Sequence, residues 1–373
     1  MSRTIAIVIN TSWNIYNFRL GLLKGLQEHG YKIIAIAPKD DYSEKLVALG
    51  FEYHEIKMNN KGTNPLEDAK LIWDFYRLYK KLNVDVILHY TIKPNIYGAM
   101  AARMLGIPVI SNISGLGTVF LDDSLSSKVA QFLYSVALKS PYKVFFQNSQ
   151  DRTLFIDLKL VEQSKTDLLP GSGMDTEKFK PIEVERKSKE VSFLFIARLL
   201  RDKGLVEYVD AARMLTKEHD IKCYILGAYY EGNPTAISQT QMQAWEAEGV
   251  VSYLGVSDDV ASRIASVDCV VLPSYREGLS RVLLEAASMA KPLVTTNVAG
   301  CKEVVDDGLN GYLCEVKNSV SLAQAMQKML ALSKQERQKM GEKGREKVIA
   351  QFDEKLVIDK YKKALLEIFD SQS

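Results

Sequence analysis

Residues 269–286 read CVVLPSYREGLSRVLLEA, and this stretch indicates the fold of the chain. The short apolar run 269–272 predicts a buried strand, and the spacing of the apolar residues after Ser280 predicts a helix that begins there. Between the strand and the helix lies a turn that contains Glu277 and Gly278. A buried strand that leads through a short turn into a helix is the repeating unit of doubly wound α/β domains.

The same alternation of apolar runs and helical stretches extends in both directions from this unit. It runs from residue 4 to residue 147 and starts again at Ser192, which predicts two such domains. Residues 178–190 contain Pro181 and a charged run, and we expect them to form a solvated linker. Ligands of doubly wound sheets bind at the carboxyl ends of the strands, so we expect two sheets that face each other across a cleft. The predicted strands lie near residues 4–9, 32–37, 84–88, 107–111, 143–147, 192–196, 223–226, 250–254, 269–272 and 293–295.

The composition limits the classes of function. With 373 residues and a formal net charge of +2, the chain lacks the strongly basic balance that is typical of a nucleic-acid-binding protein. Its four cysteines show no Cys-x-x-Cys spacing, so neither a zinc site nor a disulfide framework is indicated. Adjacent acidic pairs such as Asp258-Asp259 fall in predicted loops or helix starts, where Asp caps helices, and no metal is implied.

The start of the chain and its longest apolar run bear on location. Residues 4–9 read as a first strand rather than as a signal peptide. The longest apolar stretch, 129–138, is far shorter than the ~18 residues that a membrane span requires. We therefore expect a cytoplasmic protein whose contact with a membrane is peripheral.

The turn after residues 269–272 has the features of a diphosphate and sugar site. Gly278 permits a close backbone approach, and the N–H groups of Leu279 and Ser280 at the start of the helix would face an anion. Glu285, one to two turns later, can accept two ribose hydroxyls, because an ionised carboxylate is only an acceptor. Glu277 would lie against the sugar. Solvated helix charges explain the spacing of the two glutamates as well, so this pattern needs a second signal.

Two cations near the strand at 192–196 provide that signal. Arg198 follows the strand directly, and Lys203 lies on the loop before the next helix. Arg binds phosphate oxygens through its planar guanidinium, and Lys supplies a compact charge that stabilises a departing diphosphate. A surface ion pair is the alternative for Arg198 taken alone. Together with the two glutamates, the cations predict a site for a diphosphate-linked sugar.

These motifs resemble those of the GT4 family of retaining glycosyltransferases, and the resemblance covers essentially the whole chain. The E-x7-E motif of the family falls on Glu277 and Glu285, and its Arg/Lys diphosphate pair falls on Arg198 and Lys203. The resemblance implies a GT-B fold of two Rossmann-like domains and a nucleotide-sugar donor. It implies no other cofactor, and we expect activity without a metal.

The resemblance also implies how the chain is divided. The final helix of the family crosses back to the first domain, so we expect residues 1–177 and 354–373 to form an acceptor-binding domain. Residues 191–353 would form the donor-binding domain. There the family places a uracil-type base against the segment after a Leu-Gly pair, which is Val256 and Ser257 in this chain, and Gly227 belongs to a second Leu-Gly pair.

The first half is similar to a narrower group, the bacterial α-1,3-N-acetylgalactosaminyltransferases that extend undecaprenyl-diphosphate-linked saccharides. The resemblance implies acceptor contacts from Asn17, Arg19, Lys93 and Gly115, with Arg19 and Lys93 on a lipid-linked diphosphate. The helix predicted near 125–139 would enter a membrane interface, unless its apolar residues face the core. The segments that carry this resemblance are Asn17-Phe18-Arg19, Asn64-Pro65-Leu66, Lys93-Pro94-Asn95, Gly115-Leu116-Gly117 and Val119-Phe120.

The chain departs from the family pattern at two loops of the first half. Residues 10–17 lack the Gly-Gly pair that many members carry after the first strand. Residues 111–115 lack the histidine that contacts the donor sugar in many members. His89, at the end of a predicted strand, is either a replacement for that histidine or a structural residue.

Retaining transfer from a UDP-sugar, in particular UDP-GalNAc, to an undecaprenyl-diphosphate-linked saccharide is the function that the resemblance implies. The reaction would take place at the cytoplasmic face of the inner membrane. No first-domain carboxylate is identified as a base or nucleophile, which favours front-face transfer in which a donor phosphate oxygen accepts the proton. Three alternatives remain open: a GT4 transferase that uses a small soluble acceptor, a GT-B sugar-nucleotide epimerase, and a non-enzymatic nucleotide-binding module.

Overall fold

The computed structural model describes residues 3–59, 64–116, 125–184, 190–230 and 232–372. The chain folds into two compact units, Met1–Gly173 with Glu354–Ser373, and Met174–Asp353. The first unit thus ends at Gly173 rather than at residue 177. The reason is that the Met174 N–H donates to the Phe352 carbonyl at 2.8 Å, within the second unit.

The expected linker is only partly described, because residues 185–189 lie outside the described ranges. Phe179, near its start, is buried in the core of the second unit, and its carbonyl accepts a hydrogen bond from the Ser288 hydroxyl at 2.6 Å. The beginning of this segment is therefore packed against the second unit rather than solvated, because its aromatic side chain fills that core.

The first unit contains a parallel sheet with helices on its faces. In chain order the described strands are β1 (Thr4–Val8), β2 (Lys32–Ala37), β3 (Glu52–Glu55), β4 (Val86–Tyr90), β5 (Val109–Ile113), β6 (Lys143–Phe146) and β7 (Thr166–Leu168). The helices are α1 (Ser12–Phe18), α2 (Leu20–Glu28), α3 (Ser43–Ala48), α4 (Pro65–Leu82), a π-helix (Pro94–Gly98), α5 (Ala99–Met104), α6 (Leu125–Ala137), α7 (Ser149–Asp157) and a 3-10 turn (Gln163–Lys165). Every strand pairs in parallel, in the order β3-β2-β1-β4-β5-β6-β7.

The second unit repeats this architecture. Its described strands are β8 (Val191–Ile196), β9 (Ile221–Leu226), β10 (Ser252–Tyr253), β11 (Cys269–Leu272), β12 (Leu293–Thr296) and β13 (Gly311–Cys314). Its helices are a 3-10 turn (Arg201–Lys203), α8 (Leu205–Leu215), α9 (Gln239–Ala247), α10 (Val260–Ala265), α11 (Arg281–Ser288), α12 (Ser319–Ala331) and α13 (Lys334–Phe352). The parallel strands follow the order β10-β9-β8-β11-β12-β13.

The final helix, α14 (Glu354–Asp370), belongs to the first unit. Its buried residues Val357, Tyr361 and Leu365 pack in the same core as Ile5 and Ile7 of β1. The alternate residues of β1 pack in a second core on the other face of the sheet. Because both faces are covered, the central strands are apolar throughout, as parallel sheets require.

The sequence prediction of two Rossmann-like α/β units is confirmed. The prediction omitted β3, β7 and β13, which lie at the margins of their sheets. The β3 sequence EYHE is polar and half-buried, β7 has three residues, and β13 begins with a glycine, so none shows the apolar run of a central strand. None of the helices in the described ranges is both long and apolar enough to cross a bilayer.

Candidate active site

Most of the candidate donor residues follow β8 and β11, the adjacent strands at which the order of the second sheet reverses direction. Loops that follow two such strands diverge and leave a crevice, which is where doubly wound sheets bind ligands. Lys203 lies on the β8 side, and Glu277 lies on the β11 side. The Nζ atom of Lys203 is 2.6 Å from Oε1 of Glu277, and both side chains are largely but not fully buried. The structure therefore brings together two of the residues that the sequence singled out.

A glycine allows the two loops to approach each other. Gly204 has φ +76°, and a Cβ atom at this position would lie 2.0 Å from the carbonyl oxygen of Pro273. The Tyr275 N–H donates to the Asp202 carbonyl at 2.9 Å, which ties the same loops together. Only glycine combines this backbone conformation with so close a contact, so the Lys203–Glu277 pair depends on Gly204.

A third loop, after β12, fixes the turn that carries Glu277. The Glu277 N–H donates to the Ala299 carbonyl at 3.0 Å, and the Ser280 N–H donates to the Gly300 carbonyl at 2.8 Å. The expectation that the Ser280 N–H is open to an anion is therefore wrong, because a long-range backbone contact occupies it. The Ser280 hydroxyl caps α11 by accepting from the Leu283 N–H. Gly278 and Leu279 lie half-buried in the same turn, and their contacts with a donor stay predictions.

Glu285 lies in the second turn of α11 and is only 8% exposed. Burial raises the pKa of its carboxyl group, and the nearby Arg281 and Lys178 act in the opposite direction. Arg281 Nε donates to Oε1 of Glu285 at 3.1 Å, one helical turn away. Arg281 was not identified from the sequence, although the i,i+4 spacing of opposite charges is a recognisable signal. The two cations partly offset the effect of burial on this carboxyl group.

Arg198 is exposed, and its guanidinium lies over the ring of Tyr230, 4.6 Å from the ring centroid. A guanidinium that stacks on an aromatic ring is held by a cation–π interaction while its N–H groups remain directed outward. Tyr230 belongs to the loop after β9 and was not identified from the sequence. No local pattern links it to Arg198, because the two residues meet only when β8 and β9 pair.

Gly227 directly follows β9, and Val256 lies shortly after β10. A Cβ atom on Gly227, whose φ is +156°, would lie 1.7 Å from the Ala197 carbonyl oxygen, next to Arg198. The Gly227 N–H donates to the Gly255 carbonyl at 2.8 Å, so the two Leu-Gly segments meet. Val256 follows directly and is 68% exposed, which leaves its side chain accessible to a flat apolar ligand.

The candidate acceptor residues belong to the first unit and lie near the carboxyl ends of its strands. Arg19 is buried, stacks over Tyr90 at 4.7 Å and donates from Nη1 to the Phe18 carbonyl at 2.9 Å. Lys93 Nζ lies 2.7 Å from Oδ1 of Asp68. The Asn17 side-chain amide donates to the Trp13 carbonyl, and Gly115 has a φ of +134°. Gly117, Val119 and Phe120 lie outside the described residues.

His89 is a structural residue. It is fully buried in the first unit, and its Nε2 lies 2.9 Å from the Tyr79 hydroxyl. Burial lowers the pKa of its imidazole to about 3, so the ring is neutral at any physiological pH. A fully buried side chain cannot contact a sugar, so His89 does not replace the missing loop histidine.

The described residues contain no group of three or more His, Cys, Asp or Glu side chains that could hold a metal ion. The four cysteines are free and buried, and burial raises the pKa of each thiol. None of them is a reactive thiolate at neutral pH.

Comparison with known proteins agrees with this arrangement. The model of the family "Glycosyl transferases group 1" matches residues 176–347, and that of "Glycosyl transferase 4-like" matches residues 4–148. The chain is 27% identical to the N,N'-diacetylbacillosaminyl-diphospho-undecaprenol α-1,3-N-acetylgalactosaminyltransferase of Campylobacter jejuni, over 96% of this chain and 97% of that one. It is 25% identical, over 70% of each chain, to the UDP-Gal:α-D-GlcNAc-diphosphoundecaprenol α-1,3-galactosyltransferase of Escherichia coli.

A solved structure of Anabaena HepE in complex with UDP and glucose superposes with a TM-score of 0.81. It is 18% identical and covers 98% of this chain and 100% of that one. The two family models account for nearly the whole chain, one for each unit. The chain therefore belongs to the group 1, or GT4, glycosyltransferases and has their GT-B fold of two Rossmann-like domains.

Proposed function

We propose that this glycosyltransferase moves a sugar, with retention of anomeric configuration, from a UDP-sugar to an undecaprenyl-diphosphate-linked saccharide. The observation that carries the proposal is the Lys203–Glu277 pair at the point where the second sheet reverses its strand order. Two relatives whose names include a diphosphoundecaprenol acceptor support the acceptor class. The name of the first relative favours N-acetylgalactosamine as the sugar.

The roles of the donor residues follow from their charges. Without donor, the ammonium of Lys203 is neutralised by Glu277. A diphosphate competes for that ammonium, and Glu277 then turns to the hydroxyls of the transferred sugar. Arg198 binds the diphosphate from its exposed position on Tyr230, Glu285 accepts the ribose hydroxyls, and the base lies against Val256.

The reaction needs no protein base. The bond between the anomeric carbon and the β-phosphate oxygen breaks, and its electron pair stays on the UDP that leaves. The acceptor hydroxyl attacks the anomeric carbon on the same face and gives its proton to the departing phosphate oxygen. Lys203 and Arg198 stabilise the negative charge that grows on the diphosphate. Electrostatic stabilisation of the transition state by preorganised groups of this kind makes a large contribution to catalysis.

A matrix of donors and acceptors tests the proposal. UDP- and GDP-sugars are incubated with short polyprenyl-diphosphate saccharides and with the same saccharides lacking the lipid diphosphate, with and without EDTA. We expect a product only with a UDP-sugar and a lipid-linked acceptor, in EDTA as in its absence. Turnover of the soluble saccharides would favour a soluble acceptor, and nucleotide release without any acceptor would favour an epimerase. If the protein bound UDP but formed no product with any combination of donor and acceptor, the proposal that it is a catalyst would be contradicted.

Replacement of Glu285 by alanine is expected to weaken UDP binding about ten- to a hundredfold. Hydrogen bonds to a charged group contribute about 1.5–3 kcal/mol, and each 1.4 kcal/mol is a factor of ten. Calorimetric titration with UDP and with 2′,3′-dideoxy-UDP measures the effect. Wild type should prefer UDP, whereas Glu285→Ala should bind both nucleotides alike. Glu346→Ala, on the exposed face of α13, is the matched control. Retention of the preference for UDP in Glu285→Ala would refute the ribose contact.

The peripheral membrane contact is proposed for α6. Tyr134 and Ala137 of this helix are buried in the second core of the first unit, on the face of the sheet opposite α14, whereas Val129 and Phe132 are 50% and 67% exposed. The helix thus packs on the core with one side and presents two apolar side chains on another. Exposed apolar side chains of an amphipathic helix insert into the headgroup boundary of a bilayer.

The double substitution Val129→Ser with Phe132→Ser is expected to reduce sedimentation with anionic liposomes severalfold, because it removes apolar area that would enter the bilayer. Turnover of a short-chain acceptor in detergent should be unchanged. Leu309→Ser, at an equally exposed leucine of the second unit, serves as control. Equal sedimentation of the wild type and the double variant would exclude α6 as the membrane contact.

A further inference from the structure

One hydroxyl group of the final helix joins two strands of the first sheet. The Tyr361 hydroxyl of α14 accepts a hydrogen bond from the Tyr90 hydroxyl at 2.8 Å and another from Asn112 Nδ2 at 3.0 Å. All three side chains are buried. Burial raises the pKa of both tyrosines, so both hydroxyl groups stay protonated at neutral pH and these are hydrogen bonds between neutral groups.

Tyr90 connects this hydroxyl to a candidate acceptor residue. The Tyr90 ring lies beneath the guanidinium of Arg19, at 4.7 Å from the ring centroid. Arg19 lies in the segment that follows β1 and α1, and Tyr90 ends β4; β1 and β4 are the two strands at which the order of the first sheet reverses. The Tyr90 ring therefore supports the Arg19 guanidinium on one side.

Asn112 connects the same hydroxyl to two further loops. The backbone carbonyl of Asn112 accepts a hydrogen bond from Asn95 Nδ2 at 2.8 Å, and Asn95 lies in the π-helix that follows Lys93. Its Oδ1 accepts from the Ser114 hydroxyl at 3.2 Å, next to Gly115. Through Asn112, the Tyr361 hydroxyl is linked to the segments that carry Lys93 and Gly115.

We infer that Tyr361 is a positioning residue for acceptor binding, which acts through Tyr90 on Arg19 and through Asn112 on the segments of Lys93 and Gly115. The inference rests on the proposed function, because it takes these residues to be the acceptor contacts. The Tyr90 hydroxyl and the Asn112 side-chain amide, which donate these hydrogen bonds, are buried. If the Tyr361 oxygen is removed, they must move to find another acceptor such as bulk water. Loss of that oxygen shifts the groups that hold the acceptor and leaves the donor site of the second unit unchanged.

The test is the substitution Tyr361→Phe. It keeps the ring in contact with Phe145, 5.2 Å between centroids, and in the core beneath β1, and removes only the hydroxyl. Steady-state kinetics use UDP-GalNAc and undecaprenyl-diphosphate-linked N-acetylhexosamine. We expect kcat/KM for the acceptor to fall about ten- to a hundredfold, the scale of a misplacement of about 1 Å at a reacting group. The Kd for UDP should equal that of wild type.

Tyr79→Phe is the matched control. Tyr79 is also fully buried in the first unit, and its hydroxyl bonds only to His89 among the hydrogen bonds of the described residues. Its loss should lower thermal stability and leave acceptor kcat/KM unchanged. In addition, the effects of Tyr90→Phe and Tyr361→Phe on acceptor kcat/KM should be non-additive when the two substitutions are combined, because both remove the hydrogen bond between these hydroxyl groups.

Different results would refute the proposed function and the positioning role of Tyr361. A wild-type enzyme that cannot use the lipid-linked acceptor would refute the proposed function. An active wild type with equal acceptor kcat/KM in Tyr361→Phe would refute the positioning role alone. A Tyr361→Phe variant that loses UDP affinity in parallel would also overturn it, because the effect would then be a general loss of structure.

Discussion

Replacement of Lys203 by alanine is expected to lower turnover about a hundredfold or more at saturating donor. Removal of one preorganised contact to a developing negative charge costs about this much in other enzymes. The Lys203 ammonium lies 2.6 Å from Glu277, and this ion pair holds it in the site until the donor diphosphate replaces Glu277 as its partner. Because the charge on the diphosphate grows as the sugar leaves, the loss should appear in kcat more than in the KM for the donor.

The control for this prediction is Lys343→Ala. Lys343 pairs with Glu346 at 2.8 Å on α13 of the same unit, but both side chains are exposed. Such surface pairs contribute little, so the control should have wild-type kcat and stability. Near-normal turnover of Lys203→Ala at saturating donor would remove Lys203 from the catalytic residues.

Replacement of Gly300 by alanine is expected to destabilise the protein by about 2–5 kcal/mol. Gly300 has φ +80°, and a Cβ atom there would lie 2.3 Å from the carbonyl oxygen of Glu277. A left-handed conformation costs a non-glycine residue about 1–2 kcal/mol, and forced overpacking costs about 1–3 kcal/mol more. The contact is with backbone rather than with a flexible side chain, so the turn that carries Glu277 must move. Turnover should fall at least tenfold in the fraction of protein that remains folded.

Gly308→Ala separates the cost of the left-handed conformation from the cost of the close contact. Gly308 has φ +78°, in the same unit, but a Cβ atom there would meet no other atom within 4 Å. It should show only the conformational cost, about 1–2 kcal/mol, with unchanged turnover. Chemical denaturation and steady-state kinetics measure both quantities. If the two variants behaved alike, the Gly300 contact would have no part in placing Glu277.

The sequence predicted the order of strand, turn and helix around the candidate donor residues, for a physical reason. The stretch 269–286 folds locally into a strand, a turn and a helix, and parallel strands place their carboxyl ends at one edge. The loops that carry Lys203 and Glu277 therefore start at the same edge of the sheet, and Gly204 allows them to meet. Contacts between different loops were not predictable in the same way. The stacking of Arg198 on Tyr230 and the bond from Ser280 to Gly300 join segments that no local pattern connects.

In the first unit, even more of the contacts around the candidate residues join distant segments that no local sequence pattern predicts. The resemblance identified Arg19 and Lys93, but neither their pattern nor their spacing indicates that Arg19 stacks on Tyr90 or that Lys93 pairs with Asp68. The hydroxyl of Tyr361 reaches this region from the far end of the chain, 271 residues from Tyr90 in sequence. Such a contact depends on how α14 packs on the sheet, which local periodicity does not encode.

The most direct test of the account is the anomeric configuration of the product. Wild-type enzyme is incubated with UDP-GalNAc and undecaprenyl-diphosphate-linked N-acetylhexosamine, and the new glycosidic linkage is assigned by NMR. We expect an α-linked sugar, formed with retention from the α-configured donor. A β-linked product, or no transfer to the lipid-linked acceptor while UDP still binds, would contradict it.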